Sequence, residues 1–430
     1  MKYWRGYLVA AVLGFFSWAL LGFAKSHITL VDMFYPYMTR MIQGTLAQWS
    51  GGTNQLLWQL LLVLFVVVSL AAVVLMVILR WNPIQLFGWI LAVATLVLFL
   101  NTGLYGLNEY AGPLATDIKL NTTDFTLPEL EQAAIYYRNQ ANELAGVVKR
   151  NEAGDVTFAE FEKLADMAGD GFQNMTYYEH MAVFYGAANA VDSQRWTEWE
   201  THPVKELGWA DWFSSVGVTG LHVPLTGEVA VNTQIPAVAQ PIIISREMAY
   251  RLCIANEGDA AFAAYLACNA NPSPSFQYSA AMMAYLSCRD ALESLPGDQA
   301  AQALENVRSL EGEQLRHDLM QYETFFIVKR DTERTERLKA LSDLWDDVCY
   351  NVRDFLGVES LNIETDAFHD LLVSWHIQEV VLPSQTVDQE ENPFDPYNED
   401  YVNGLVDLEG NPIEPTTDPA ADPTEETIGE

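Results

Sequence analysis

Residues 56–79, LLWQLLLVLFVVVSLAAVVLMVIL, contain no charged side chain and decide the architecture of the chain. A helix needs about 20 apolar residues to cross the hydrocarbon core of a bilayer. Two further apolar runs, at 7–24 and 86–104, approach this length. The sequence therefore predicts three transmembrane helices, at about 7–24, 56–79 and 86–104, within a membrane domain of residues 1–108.

The segment between the first two runs, residues 26–53, includes Asp32 and is too polar to span, so we predict an interfacial segment there. Positive charge indicates the orientation of the spans. Lys2 and Arg5 precede the first run, and Arg80 returns to the same side after two crossings. Because basic residues favour the cytoplasmic face, we predict a multi-pass protein of the cell membrane with a cytoplasmic N-terminus and a large outer C-terminal domain.

Charge restricts the partners of the chain. The formal net charge is −34 over 430 residues, and a field of that sign repels nucleic acid. Residues 384–430 contain many acidic residues and no lysine or arginine. This stretch lacks enough apolar surface to order itself, so we predict a disordered acidic tail.

Residues 109–383 are expected to form an extracytoplasmic domain rich in helix. Helical periodicity predicts helices at 129–149, 158–168, 172–192, 242–253, 259–270, 274–292 and 316–356. Leu221 and Val223 begin an alternating pattern that continues through 228–232, which is typical of a strand or hairpin. The fold class is thus mainly α, with three N-terminal spans and an α-rich (α+β) domain that contains a small β element.

The four cysteines, Cys253, Cys268, Cys288 and Cys349, include no C-x-x-C pair, so a structural zinc knuckle is not expected. Cys268 and Cys288 lie in neighbouring predicted helices and leave two readings open. One is a disulfide, and the other, which we favour, is a pair of buried thiols in helix packing.

Three blocks carry a resemblance to a known family: 217–232 (GVTGLHVPLTGEVAVN), 245–250 (SREMAY) and 256–268 (NEGDAAFAAYLAC). In this order and spacing they resemble the DUF3810 family of bacterial membrane proteins. Members of that family look like zinc metallopeptidases, with H-E-L-A-H-Q-x-G followed by E-x-E-A-N-F-x-A-Y-L-A. The resemblance covers the spans and the region up to about residue 380, and it implies a metallopeptidase-like fold.

The departures from this motif concern the metal. The resemblance places Arg246 and Tyr250 at the two histidine positions, Glu247 at the general-base position, Glu257 at the third-ligand position and Asp259 at the second acidic position. Arginine stays protonated and does not bind zinc, and tyrosine is a poor ligand at neutral pH. We therefore expect no metal and no cofactor, with Glu247 as a vestigial base.

The charge of Arg246 suggests a replacement for the metal. Buried carboxylates are costly without a partner, so we hypothesise that Arg246 pairs with Glu257, Asp259 or both. The alternative is that Arg246 points to solvent and that the site has drifted.

The strand before the motif helix is a second candidate site. In H-E-x-x-H proteases an exposed edge strand in this position binds extended peptide through its backbone. Here the corresponding residues are Thr226, Gly227, Glu228, Val229 and Asn232. The alternative is a strand that only supports the helix.

We therefore interpret the chain as a membrane-anchored, catalytically inactive relative of a zinc metallopeptidase that binds a peptide or protein at the cell surface. One alternative is an active metallohydrolase that collects metal from Glu247, Glu257 and a distant histidine. The other is a structural membrane protein whose bundle assembles with partners. The bilayer is the one partner common to all three readings.

Overall fold

A computed structural model describes residues 4–80, 82–122, 124–175, 204–215, 217–330 and 367–382. The helices predicted at 172–192 and 316–356 run beyond these residues, and the predicted acidic tail lies outside them. The chain divides into two compact units, residues 1–374 and 375–430. In the second unit, the described residues complete a helix that ends at His376 and form one π-helical turn, Ile377–Val381.

Three helices are long and apolar enough to cross a membrane: α1 (Arg5–Ser26), α3 (Leu57–Leu79) and α4 (Pro83–Leu104). The three predicted spans are confirmed within a few residues, and they bring the chain into contact with the bilayer. None of the residues of α3 is buried, so the whole length of this helix is available for contact with the bilayer. Helices α1 and α4 cross where Gly6 lies against Gly88, and the absence of side chains lets the two backbones approach closely.

The turn between α3 and α4 is encoded locally. Arg80 ends α3 in the left-handed region, with φ of 53°. Asn82 then caps α4, because its side-chain oxygen accepts a hydrogen bond from the Ile84 N–H at 2.9 Å. Pro83 at the first helical position has the φ that a helix start requires.

The predicted interfacial segment forms one helix, α2 (Ile28–Gly51), with Pro36 inside it. Its buried side recurs every four residues, at Val31, Tyr35, Thr39, Gln43 and Ala47. This stripe faces the 3-10 helix Gly106–Tyr110 and the sheet. Large apolar residues such as Phe34, Tyr37 and Met41 are exposed on the other side. The position of α2 at the bilayer surface stays a prediction.

The described part of residues 106–374, the post-span region, is mainly helical, as predicted. The helix predicted from residue 129 begins at Leu127, because Thr126 caps it and the Glu129 carboxylate accepts a hydrogen bond from the Thr126 N–H at 2.6 Å. The helices are α5 (Leu114–Asp117), α6 (Leu127–Ala145), α7 (Phe161–Met175), α8 (Ala210–Ser215), α9 (Gln240–Arg251), α10 (Glu257–Ala270), α11 (Pro274–Ser294), α12 (Asp298–Ser309), α13 (Glu313–Arg330) and α14 (Phe368–His376).

The central helix of this region is α10, which packs against α7, α9 and α11. The predicted helix end at Ala168 is wrong, because α7 continues to Met175. Gly171 lies against the backbone of Ala267 so closely that no Cβ would fit. Glycine at position 171 therefore permits two helices to approach closely.

A three-stranded sheet covers one side of α9. Its strands are β1 (Lys205–Glu206), β2 (Gly220–Val223) and β3 (Glu228–Val231), in the order β1-β3-β2. The predicted hairpin is confirmed: β2 and β3 are antiparallel. The expectation that the second hairpin strand is an edge is wrong, because β1 pairs with β3 in parallel and makes it the central strand.

Three cysteines lie in the described residues, and each is buried and outside any disulfide. Cys268 donates to the Ser245 hydroxyl at 3.2 Å between α10 and α9. Burial raises the pKa of Cys268 to about 12, so this thiol stays protonated. The reading as thiols in helix packing is confirmed for Cys268 and Cys288, and Cys349 lies outside the described residues.

Candidate functional site

Helix α9 brings the motif residues to the sheet. Pro241 lies in its first turn, where the missing N–H costs no helical hydrogen bond. The helix packs against both β2 and β3. Arg246 and Glu247 therefore meet the hairpin rather than open solvent.

Arg246 forms an ion pair with its own neighbour. Its Nη2 donates to Glu247 Oε1 at 2.9 Å and to the Thr219 hydroxyl at 2.9 Å. The side chain of Arg246 is 26 % exposed and that of Glu247 is 3 % exposed. The pair thus has a buried anionic end and an accessible cationic end.

Gly220 on β2 makes room for the buried end of this pair. A Cβ at Gly220 would lie 2.5 Å from Cγ and 2.6 Å from Oε1 of Glu247. Real Cβ atoms do not approach other atoms so closely. Only glycine at this position lets the Glu247 side chain lie beneath the strand.

Burial changes the acid–base properties of the motif residues. It raises the pKa of Glu247, while the Arg246 charge opposes the shift and Glu257 adds to it. Burial also raises the pKa of Tyr250 to about 12. The phenol is therefore neutral at physiological pH and does not offer the phenolate that a metal ion prefers.

The two acids at the start of α10, Glu257 and Asp259, do not pair with Arg246 as hypothesised. Among the described residues, Arg246 forms an ion pair only with Glu247, so the predicted pairing with Glu257 or Asp259 is wrong. Asn256 caps α10 and turns Asp259 inward, where its Oδ2 accepts from the Leu114 N–H at 3.0 Å. Glu257 stays exposed. Asp259 therefore anchors the chain that follows α4.

A cleft of about 620 Å³ opens between the start of β2, α9 and the first turn of α10. Its lining is Gly217, Thr219, Ile242, Ile243, Arg246, Asn256, Glu257, Gly258, Ala261, Met283, Tyr322, Ala367 and Phe368. Of the motif positions, only Arg246 and Glu257 line it. Glu247, Tyr250 and Asp259 lie outside the lining.

The residues predicted to bind peptide through an edge strand hold the sheet in place instead. Gly227 has φ of +64°, and a Cβ added at this position would lie 2.6 Å from the Gln43 carbonyl oxygen of α2. Asn232 donates to the Ser214 hydroxyl at 2.7 Å. Thr226 and Val229 are buried. None of these side chains lines the cleft.

Glu228 belongs to a second ion pair, which joins the sheet to the membrane helices. Lys205 Nζ donates to Glu228 Oε1 at 2.7 Å, to Ser50 O at 2.7 Å and to Gln55 O at 2.9 Å. The Glu228 carboxylate also accepts from the N–H groups of Leu57 at 2.8 Å and Trp58 at 2.9 Å. Anionic charge at a helix N-terminus and cationic charge at a C-terminus are both favourable. The pair thus stabilises the end of α2 and the start of α3.

Sequence reasoning missed the residues that surround Arg246. Thr219 and Gly220 stand in the first resembling block, but only the fold shows that they face α9. Tyr322 lies more than 70 positions further along the chain and reaches the cleft from α13. No local pattern in the sequence connects it to α9.

No histidine among the described residues belongs to a metal site near the cleft. Burial, together with Arg251, lowers the pKa of His222 to about 3, so this imidazole is neutral. Its Nε2 pairs with Gln43 Oε1 at 3.2 Å. Within the described part of the chain, no three His, Cys, Asp or Glu side chains form a ligand group for a metal ion. The expected absence of a cofactor stays a prediction.

The fold and the cleft define a class: a membrane protein whose three apolar N-terminal helices carry an α-rich region with a small sheet. A family model described as a protein of unknown function (DUF3810) matches residues 31–341, and the chain belongs to this family. The match covers α2, two of the spans, the sheet and the cleft helices α9 and α10. No curated protein and no solved structure matches the chain.

Proposed function

We propose that this chain is a membrane-anchored, catalytically inactive relative of zinc metallopeptidases that binds an extended peptide or protein segment in the cleft. The observation that carries the proposal is the Arg246–Glu247 pair. A guanidinium, and not a metal-binding imidazole, lines the cleft, and the carboxylate that would act as base lies beneath Gly220. A general base must reach the proton that it abstracts.

The neighbouring strand supports peptide binding. The Asn232 N–H donates to Thr219 O at 2.9 Å, so these two residues form a hydrogen-bonded pair. Hydrogen-bonded and non-hydrogen-bonded pairs alternate along antiparallel strands. The backbone groups of Gly220 and His222 then point away from β3, toward the open edge of β2. No other described strand pairs with this edge. An extended segment entering past Gly217 and Thr219 would find backbone partners on β2 and the Arg246 charge beside them.

The basic residues that flank the spans indicate on which side of the membrane the cleft lies. We place the N-terminus in the cytoplasm and the post-span region outside, because Arg5 and Arg80 flank the cytoplasmic ends of the spans in that arrangement. The ligand is then a segment at the outer surface of the cell membrane.

A second candidate function is assembly with other membrane proteins. It is favoured by α3, which has no buried residue in the described chain and a mean hydropathy of 3.4. In this reading α3 supplies a surface for a partner helix. Co-purification of partners that persists after removal of residues 109–430 would favour it.

Peptide display against the full chain in nanodiscs tests the first proposal. Random peptides are selected on the wild-type chain, and their retention is compared on Arg246→Glu and on Arg308→Glu. Arg308 pairs with Glu293 on an exposed surface and supplies the matched charge reversal. We expect the selected peptides to lose binding to Arg246→Glu and to keep it on Arg308→Glu. Equal retention on all three chains would contradict the proposal.

A further inference from the structure

Two tryptophans of the post-span region expose large apolar surfaces. Trp209 is 50 % exposed and Trp212 is 44 % exposed. They belong to α8 and to the turn that precedes it. Exposed tryptophans so close together need an explanation, because exposing the large apolar indole ring to water is unfavourable.

The segment that carries them lies against the first turn of α3. The Trp58 ring meets the Trp209 ring edge-on at 6.1 Å and the Phe213 ring at 6.3 Å. The backbone of Gly208 touches the Gln59 side chain so closely that no Cβ would fit. Leu56, Leu207 and Phe213 share one buried cluster. Contacts therefore fix α8 beside the start of the span.

The start of α3 marks a boundary of the bilayer. The helix has 23 residues, and at about 1.5 Å per residue it is about as long as the hydrocarbon core is thick. The buried Lys205–Glu228 pair holds the sheet to the same end of α3. A ring that contacts Trp58 thus lies at the level where hydrocarbon gives way to headgroups.

We propose that Trp209 and Trp212 insert into the interfacial layer of the bilayer and form a membrane contact separate from the three spans. The occupant of this surface is lipid, because the surface is continuous with α3, whose own residues are exposed along its length. Tryptophan favours this layer, where its ring meets acyl chains and its N–H meets water and headgroups. The contact fixes the sheet, and with it the cleft, against the membrane surface.

Spin labelling tests the contact directly. Trp209→Cys and Trp212→Cys chains are labelled with a nitroxide in phosphatidylcholine nanodiscs, and collision rates with oxygen and with a water-soluble nickel complex are compared. Leu310→Cys serves as control, because Leu310 is 65 % exposed at the end of α12, which packs on α6 and α11. The parent chain, treated in parallel, reports any labelling of the native thiols.

We expect the collision rate with oxygen to exceed the collision rate with the nickel complex at positions 209 and 212. At position 310 we expect the reverse. Collision rates at 209 and 212 equal to those at 310 would overturn the proposal. Protection from both reagents would also overturn it, since a protein then covers the surface. As a second measurement, brominated phosphatidylcholine should quench less of the total tryptophan emission in a Trp209→Phe, Trp212→Phe chain than in wild type. Unchanged quenching would contradict the contact.

Discussion

The Lys205–Glu228 and Arg246–Glu247 ion pairs, both beside the sheet, differ in which of their hydrogen-bond donors have partners. All three ammonium protons of Lys205 have partners, and Glu228 accepts from two helical N–H groups besides. Arg246 is bonded through Nε and Nη2 only, and its Nη1 donates to none of the described residues. The first pair is a closed structural joint, and the second contains a cleft-lining residue whose Nη1 bonds to no described residue.

This difference supports the proposal that the site binds a ligand without a metal ion. A charge that only replaced the metal as a structural element would be expected to have its donors satisfied, as Lys205 does. Arg246 instead pairs with the buried Glu247 through Nε and Nη2 and also lines the cleft. That arrangement suits a site that binds a ligand and does not hydrolyse it.

Breaking the closed joint should cost the most stability. Lys205→Met leaves Glu228 buried without its cation, so we expect the free energy of unfolding to fall by about 3–5 kcal/mol. Arg308→Met, in an exposed pair, should lower it by less than about 1 kcal/mol. Urea unfolding of the chains in one detergent measures both. Similar losses in the two variants would show that the joint is not structural.

Filling the space above Glu247 should have the next largest effect. Gly220→Ala places a Cβ against the buried Glu247 side chain, and such overpacking costs about 1–3 kcal/mol. The same substitution at Gly103, where a Cβ meets nothing within 4 Å, should not destabilise the chain. Peptides selected on the wild type should bind less tightly to Gly220→Ala. Unchanged stability and binding would mean that Glu247 does not lie beneath β2.

Removing the cation at the cleft should make stability depend on pH. Burial holds the pKa of Glu247 above its ordinary value of 4.5, and Arg246 opposes this shift. In Arg246→Met the shift grows. The unfolded chain then releases a proton near pH 4.5 while the folded chain retains it, so the folded state loses stability as pH rises.

We therefore expect Arg246→Met to be more destabilised relative to wild type at about pH 8 than at about pH 5. Arg246→Met combined with Glu247→Gln removes the titrating group and serves as the control. Its free energy of unfolding should vary less with pH over this range than that of Arg246→Met, because Glu247 no longer titrates. A pH dependence that survives in the double variant would assign it to another group.

Changing the exposed acid of the cleft should leave stability unaltered and affect only the ligand. Glu257 lies on the cleft lining and is exposed, so Glu257→Gln removes charge without leaving a buried group unpaired. Display selection on this variant should enrich peptides with fewer basic residues than selection on wild type. Identical enrichment would mean that the ligand does not pass the first turn of α10.

Local sequence signals predicted much of this fold. The span at Leu57–Leu79 follows from uninterrupted apolar residues, and the hairpin follows from alternation around Leu221 and Val229. The position of β3 in the middle of the sheet could not be predicted. It depends on β1, a strand of two residues that lies more than 20 positions earlier in the chain.

The partners of the charged residues could not be predicted from the sequence either. Adjacent residues on a helix do not face each other, so a pair between Arg246 and Glu247 was not expected. It forms because Gly220 leaves space for the Glu247 side chain and the Thr219 hydroxyl accepts a hydrogen bond from Arg246. Lys205 and Glu228 meet only once the sheet has formed.

Zinc content is the most direct test of the central claim that the Arg246–Glu247 pair stands where a metal would lie. The full chain in nanodiscs is equilibrated with zinc, desalted and analysed for metal and for peptide hydrolysis. Arg246→His with Tyr250→His, which places imidazoles four residues apart on α9, serves as the positive control. We predict no stoichiometric zinc and no hydrolysis for wild type, with zinc retained by the control. One zinc per wild-type chain together with chelator-sensitive hydrolysis would contradict the account.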